Sequence, residues 1–74
     1  MEIRWENNLH EMADNADEIK EDINNIARIA LSLEQAENNL QYYISRRNLP
    51  LSVYSGRDFV GITFNQLTYC MIFE

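Results

Sequence analysis

The chain has 74 residues, of which 46% are hydrophobic and 24% are charged, and its formal net charge is −6. A chain of this length buries only roughly 60% of the surface that its unfolded form exposes. Its core therefore needs efficient packing, a disulfide or bound metal, or a partner. One cysteine and one histidine exclude an intrachain disulfide and a four-ligand structural zinc site. Oligomerisation is therefore the reinforcement that we expect.

The first two thirds of the chain have the periodicity of a helix. From Trp5 to Ile44, residues recur at alternating spacings of four and three, and Glu37 is the single one that is not apolar. This spacing is typical of a heptad seam, and no Gly or Pro precedes Pro50. The pattern predicts one long amphipathic helix over residues 3–47, a rod of about 65 Å.

The end of this helix is marked by its own residues. Arg46 and Arg47 complement the negative end of the helix dipole, and Asn48 tolerates the left-handed conformation of a C-cap. An alternative stays open earlier in the segment. Asn24 and Asn25 tolerate turns, so a kink near residues 24–25 would fold the segment into a helical hairpin.

From Leu49 onward the apolar period changes from about 3.5 to two, which predicts two or three short antiparallel strands over residues 49–74. Gly61 marks a bulge or a close backbone approach. The expected fold class is α+β, a long heptad helix followed by a β-hairpin or meander in a single domain of residues 1–74. The expected elements are a strand over 49–54, a loop over 55–58, a strand over 59–64, a turn at 65–66 and a strand over 67–73.

Residues 69–73 are uncharged and apolar on both faces, so a bare edge strand there would promote aggregation. We expect another strand to cover them, from the same sheet or from a second copy. With the heptad seam, this predicts a homo-oligomer, with a dimer favoured and the helix orientation open. The expected interface residues are Leu9, Met12, Ile19, Ile23, Ile26, Leu33, Tyr69, Met71 and Phe73.

All of the excess negative charge lies in residues 1–24, which hold eight acidic and two basic side chains. On a helix, spacings of three and four residues place most of these carboxylates on one outer face. Two interpretations stay open. The row keeps the protein soluble, or it binds a basic surface as a phosphate-like ladder, by nucleic-acid mimicry or electrostatic steering. The expected partner-binding residues are Glu11, Asp14, Asp17, Glu18, Glu21, Asp22 and Trp5, whose ring is either a core plug or an aromatic anchor.

Other function classes find little support in the sequence. Cys70 and His10 fall on separate predicted elements, and no phosphate loop, HExxH or CxxC spacing occurs, so we expect no enzyme activity, no cofactor and no metal. The negative charge disfavours direct nucleic-acid binding. No apolar run reaches the roughly 18 residues of a membrane span, and the N-terminus lacks the basic start of a signal peptide. We therefore expect no membrane association and a cytoplasmic location.

These observations predict a small, acidic, non-catalytic module that inhibits or regulates a larger cytosolic partner with a basic surface, such as a nucleic-acid-binding protein. In general character such a chain is similar to phage-encoded inhibitors of host defence, for which the location is the host cytoplasm. The alternative is a coiled-coil scaffold that only oligomerises. A salt series separates the two, because binding through carboxylates weakens with ionic strength and assembly through an apolar seam does not.

Overall fold

A computed structural model describes residues 1–7 and 14–74 of the chain. The described residues form an α+β fold in which the strands make one antiparallel sheet in the order β1-β4-β3-β2. The first and last strands of the chain therefore lie side by side. The elements are β1 (Glu2–Trp5), α1 (Ala16–Ile29), α2 (Leu33–Arg47), β2 (Ser52–Ser55), β3 (Phe59–Phe64) and β4 (Leu67–Phe73).

The predicted single helix over residues 3–47 is wrong, because this segment holds β1 and two shorter helices. The helices part at Ala30, whose backbone is extended (φ −67°, ψ 140°). Asn24 and Asn25, the predicted kink, lie inside α1. The break therefore occurs one and a half helical turns later than the asparagine pair suggested.

A capping arrangement starts α2 directly after this break. The Ser32 hydroxyl accepts a hydrogen bond from the Gln35 N–H at 3.1 Å, and the Gln35 side-chain oxygen accepts one from the Leu31 N–H at 2.6 Å. The pair resembles a capping box in which the glutamine reaches one residue further back. It satisfies backbone donors that a continuous helix would have satisfied internally, so the interruption is stable.

The four-three spacing has a different cause from a coiled-coil seam. Ile19, Ile23 and Ala27 of α1 share one buried cluster with Leu40 and Ile44 of α2 and with the sheet. A helix that packs on a sheet repeats its apolar residues at nearly the same spacings as a helix in a coiled coil. Two such helices therefore mimic one long seam, and the longest extent of the fold is 30 Å.

This packing corrects the prediction of one long heptad helix, whereas the scaffold function stays a prediction. Ile19 and Ile23, predicted to lie in an oligomer seam, are fully buried in the core of the chain itself. Ile26 and Leu33 are half-buried beside that core, and the predicted seam residues Leu9 and Met12 lie outside the described residues. The most buried seam positions are therefore not available to a second copy.

In the C-terminal third, β3 and β4 run over the predicted ranges, whereas β2 begins at Ser52 rather than at residue 49. β4 is not an edge strand, because it lies between β1 and β3. Glu2 pairs with Phe73 and Trp5 with Cys70, so β1 covers the apolar segment 69–73 within the same sheet. The need to cover this segment therefore gives no reason for an oligomer. Tyr69 is buried, whereas Met71 and Phe73 are half-buried.

Among residues 1–7 and 14–74, three non-glycine residues adopt left-handed backbone conformations at element ends. Asn48 (φ 52°) caps α2 as predicted, and its N–H points to the carbonyls of Ile44 and Ser45. Asn65 and Gln66 (φ 52° and 67°) form the predicted turn between β3 and β4. A two-residue hairpin with both φ values positive matches the right-handed twist of the strands that it joins.

Alternation along the strands divides the sheet into a side that faces the helices and an open side. Val60 and Ile62 of β3 pair with Ile72 and Cys70 of β4, and all four are buried in the cluster that includes α1 and α2. Gly61 and Met71, which lie between them in sequence and pair with each other, belong to the open side.

Candidate interaction surfaces

The carboxylates predicted to bind a partner gather where α1 begins. Asp14 is exposed just before the helix, Asp17, Glu18 and Glu21 are exposed on it, and Asp22 is half-buried. Glu11, which was predicted to extend this row, lies outside the described residues. We call this surface the acidic patch: Asp14, Asp17, Glu18, Glu21 and Asp22.

Arg47 at the end of α2 holds two of these carboxylates. Its guanidinium lies 3.6 Å from the Glu18 carboxylate and 3.8 Å from that of Asp22. It also lies 5.7 Å from the centre of the Tyr43 ring, and the Tyr43 hydroxyl donates a hydrogen bond to Asp22 at 2.7 Å. Part of the acidic patch therefore joins α1 to α2, a role that the sequence did not reveal because it depends on the helical hairpin.

This contact shifts the ionisation of Tyr43. Burial, the hydrogen bond to Asp22 and the negative charge of Asp22 raise the pKa of Tyr43 from its ordinary 10.0 to about 12. The raised pKa means that the folded state holds the phenolic proton more tightly than the unfolded chain does. Its contribution to stability is fully present below pH 10.0 and is lost as the pH rises towards about 12.

We expect an ultraviolet titration to show a late tyrosine ionisation near pH 12 that is absent from Tyr43→Phe. The difference in unfolding free energy between wild type and Tyr43→Phe should shrink as the pH rises through this interval, because the ionised phenol can no longer donate to Asp22. Asp22→Asn serves as the control, since it keeps an acceptor but removes the charge and should bring the ionisation to lower pH. A late ionisation that persists in Tyr43→Phe would contradict this assignment.

Trp5 lies against α1. Its Nε1–H donates a hydrogen bond to the Asn24 side-chain oxygen at 2.9 Å, and the Lys20 ammonium lies 5.0 Å from the centre of its ring. The ring is half-buried and packs against the core. Trp5 thus joins β1 to α1, and its use as an anchor for a partner stays a prediction.

An open groove lies on the outer side of the two helices. It encloses about 430 Å³ and is lined by Ile26 of α1 and by Asn39, Tyr42, Tyr43, Arg46 and Arg47 of α2. We call it the helix groove. The Arg46 guanidinium donates to the Tyr42 hydroxyl at 2.9 Å and lies 5.6 Å from the centre of that ring. Within residues 1–7 and 14–74, Arg46 has no acidic partner.

The helix groove was not predicted from the sequence, although a signal for it was present. Tyr42 and Tyr43 precede Arg46 and Arg47 by four residues each. On a helix this spacing places each arginine beside the tyrosine one turn earlier. Such a double pair indicates a helix surface of aromatic rings and guanidinium groups.

The open side of the sheet is partly covered by its own side chains. The Tyr54 ring crosses Gly61 so closely that a Cβ atom there would overlap it, so the close approach at Gly61 is made by a side-chain ring, and the register shift of the β3–β4 pair lies at Ile62/Thr63. The Tyr54 ring also meets the Phe59 ring edge-on, with centroids 5.6 Å apart, and Arg4 lies 4.9 Å from the centre of the Phe73 ring. These mutual contacts leave Tyr54 only 36% exposed.

The two residues considered for nucleophilic chemistry do not form a described site. Cys70 is fully buried in the sheet, and burial raises the pKa of its thiol to about 12, so its reactive thiolate form is disfavoured. His10 lies outside the described residues. In the part of the chain that the structure describes, no group of three or more His, Cys, Asp or Glu side chains is placed to hold a metal ion.

Comparison with protein families, characterised proteins and solved structures finds no match for this chain. Among the described helices, none has the length and apolar character that crossing a membrane requires. The function is therefore inferred from the chemistry of the surfaces described above.

Proposed function

We propose that this chain is a non-catalytic, cytoplasmic interaction module that binds a larger protein through the acidic patch and regulates it by covering a basic surface. The supporting observation is that five carboxylates lie just before α1 and in its first two turns, four of them exposed and Asp22 half-buried. Arg47 forms ion pairs with Glu18 and Asp22, and the formal charges of the five carboxylates and this arginine sum to −4. A surface of this kind attracts a basic partner and speeds their encounter.

The position of the patch also favours recognition. Four of its residues lie on a helix whose orientation is held by the Tyr43–Asp22 hydrogen bond and by Arg47, so little ordering is required when a partner binds. The helix dipole accounts for the presence of Asp17 and Glu18, because negative charge stabilises the first turn of a helix. It does not explain Glu21, which lies one turn further along, and partner binding gives that residue a role.

Asp14 and Glu21 are the residues to test, because both are exposed and neither makes an ion pair with another described residue. Tagged wild type captures its partner from a lysate of the source cells, and the purified partner is then titrated with each variant. The double variant Asp14→Lys/Glu21→Lys should bind at least about tenfold more weakly, and wild-type binding should weaken steeply with salt.

The matched control is Glu34→Lys/Asp58→Lys, which changes the net charge equally at exposed positions outside the patch. Glu34 lies in the first turn of α2, at the opposite end of that helix from Arg47. We expect this control to retain most of the binding. An equal loss in both double variants would show that only net charge matters, and no loss in the patch variant would refute the proposal.

A further inference from the structure

We infer that the helix groove and the apolar side chains beside it form the interface of a symmetric homodimer, with a second copy of this chain as the occupant. This surface differs from the acidic patch, although Glu18 of the patch pairs with Arg47, which lines the groove. It also differs from the predicted coiled-coil seam, whose central residues lie in the core.

The outer side of the helices carries the most exposed large apolar side chains of the described chain. Leu31 is 88% exposed, Ile29 is 68% exposed and Tyr42 is 63% exposed. Tyr54 on the open side of the sheet is 36% exposed because Phe59 packs against it. The helix side therefore gains more than the sheet side from a covering partner.

This side of the molecule is complementary to itself. Ile29 and Leu31 protrude at the end of α1 and in the connection to α2. Ile26, one helical turn before Ile29, lines the groove together with the two tyrosines. A two-fold interface uses the same patch on both subunits, so with the axis along the groove Ile29 and Leu31 of the two copies would cover each other.

Charge complementarity favours a second copy over an unrelated apolar partner. Arg46 lacks an acidic partner among the described residues, whereas the Glu18 side chain is 62% exposed although it pairs with Arg47. Arg46 and Glu18 lie at the same end of the groove, since Arg47 adjoins the first and contacts the second. A two-fold axis along the groove brings Arg46 of each copy to Glu18 of the other, and apolar residues meet at the opposite end.

The size of the fold limits the area of this interface. The two longer extents of the fold are 30 and 21 Å, so a face bounded by them has a projected area of about 600 Å² per copy. Two such faces together reach about 1,200 Å², so a specific interface of roughly 1,000 Å² would use most of this side of the molecule.

Sedimentation equilibrium of the full chain tests the dimer. We expect wild type to approach twice the 8.8 kDa of the chain as its concentration rises. The double variant Ile29→Ser/Leu31→Ser should raise the dimer dissociation constant at least about tenfold, because two exposed apolar side chains no longer become buried. Circular dichroism should be unchanged, since both residues are exposed in the single copy.

Leu67→Ser is the matched control, because Leu67 is 42% exposed and lies in β4 at the β3–β4 turn. Its dimer should match wild type. A wild type that stays monomeric at millimolar concentration would overturn the proposal. So would a serine double variant that dimerises normally, or a control that is weakened equally.

A charge exchange tests the pairing across the axis. Arg46→Glu and Glu18→Arg should each weaken the dimer, and the two changes together should restore it. If the restoration fails while circular dichroism shows that Glu18→Arg is folded despite the loss of its ion pair with Arg47, the Arg46–Glu18 pairing is refuted. Asp14→Lys/Glu21→Lys should dimerise normally, so loss of partner binding and loss of the dimer can be told apart.

Discussion

Ile23→Ala is expected to lower the free energy of unfolding by about 2–5 kcal/mol, because it leaves a cavity in a close-packed interior. Ile23 lies in the middle of α1 and is fully buried between the helices and the sheet. A domain of this size has a total stability of about 4–11 kcal/mol, so the variant should lose a large share of it. Urea unfolding followed by circular dichroism, at dilute protein concentration, measures the change.

Ile29→Ala is the matched control for this prediction. It makes the same chemical change in the same helix, at a side chain that is 68% exposed, so its effect should remain within about 0.5 kcal/mol. Equal destabilisation by both variants would contradict the arrangement in which α1 buries Ile23 against the sheet and turns Ile29 outward.

Removal of residues 1–6 is expected to convert a stable protein into one that aggregates. The truncation deletes β1, which pairs with residues 70–73 in the intact protein. β4 then becomes an edge strand with exposed backbone hydrogen-bonding groups. The truncation also removes the hydrogen bond from Trp5 to Asn24. Light scattering and circular dichroism at a series of concentrations should show concentration-dependent association with increased strand content.

The double variant Glu2→Gln/Arg4→Gln separates the strand from its charges. It keeps the backbone of β1 and changes two exposed side chains, so it should stay folded and free of aggregation. If the truncated chain remains dispersed and folded, β4 does not need β1 for protection. If the glutamine variant aggregates as strongly as the truncated chain, charge on β1 matters more than its pairing.

The features that sequence predicted well are local. The α+β class, the ranges of β3 and β4, the turn at Asn65 and Gln66 and the cap at Asn48 each follow from neighbouring residues. Alternation shows a strand over Phe59–Phe64 without knowledge of what lies beneath it. Four carboxylates of the acidic patch could also be grouped from the sequence, because they lie within two turns of one helix.

The features that were missed depend on distant partners or on competing causes. β1 has only four residues, and it is a strand because residues 70–73 pair with it. The four-three spacing fits a coiled coil and two sheet-packed helices equally well. Ser32 and Gln35 did carry a local signal for the start of α2. The helix groove required the hairpin, which brings Ile26 beside Tyr43.

The position of β1 beside β4 bears on the order of events during synthesis. Of the described strands, β1 is synthesised before the others and its neighbour β4 after them. Their pairing must therefore bring together residues 2–5 and 70–73, and such long-range closure slows folding. Because Glu2 lies opposite Phe73, a short linker can join the two strands. A circularly permuted chain that begins at α1 would form the β4–β1 pair as a local hairpin and exchange this late, distant step for an early one.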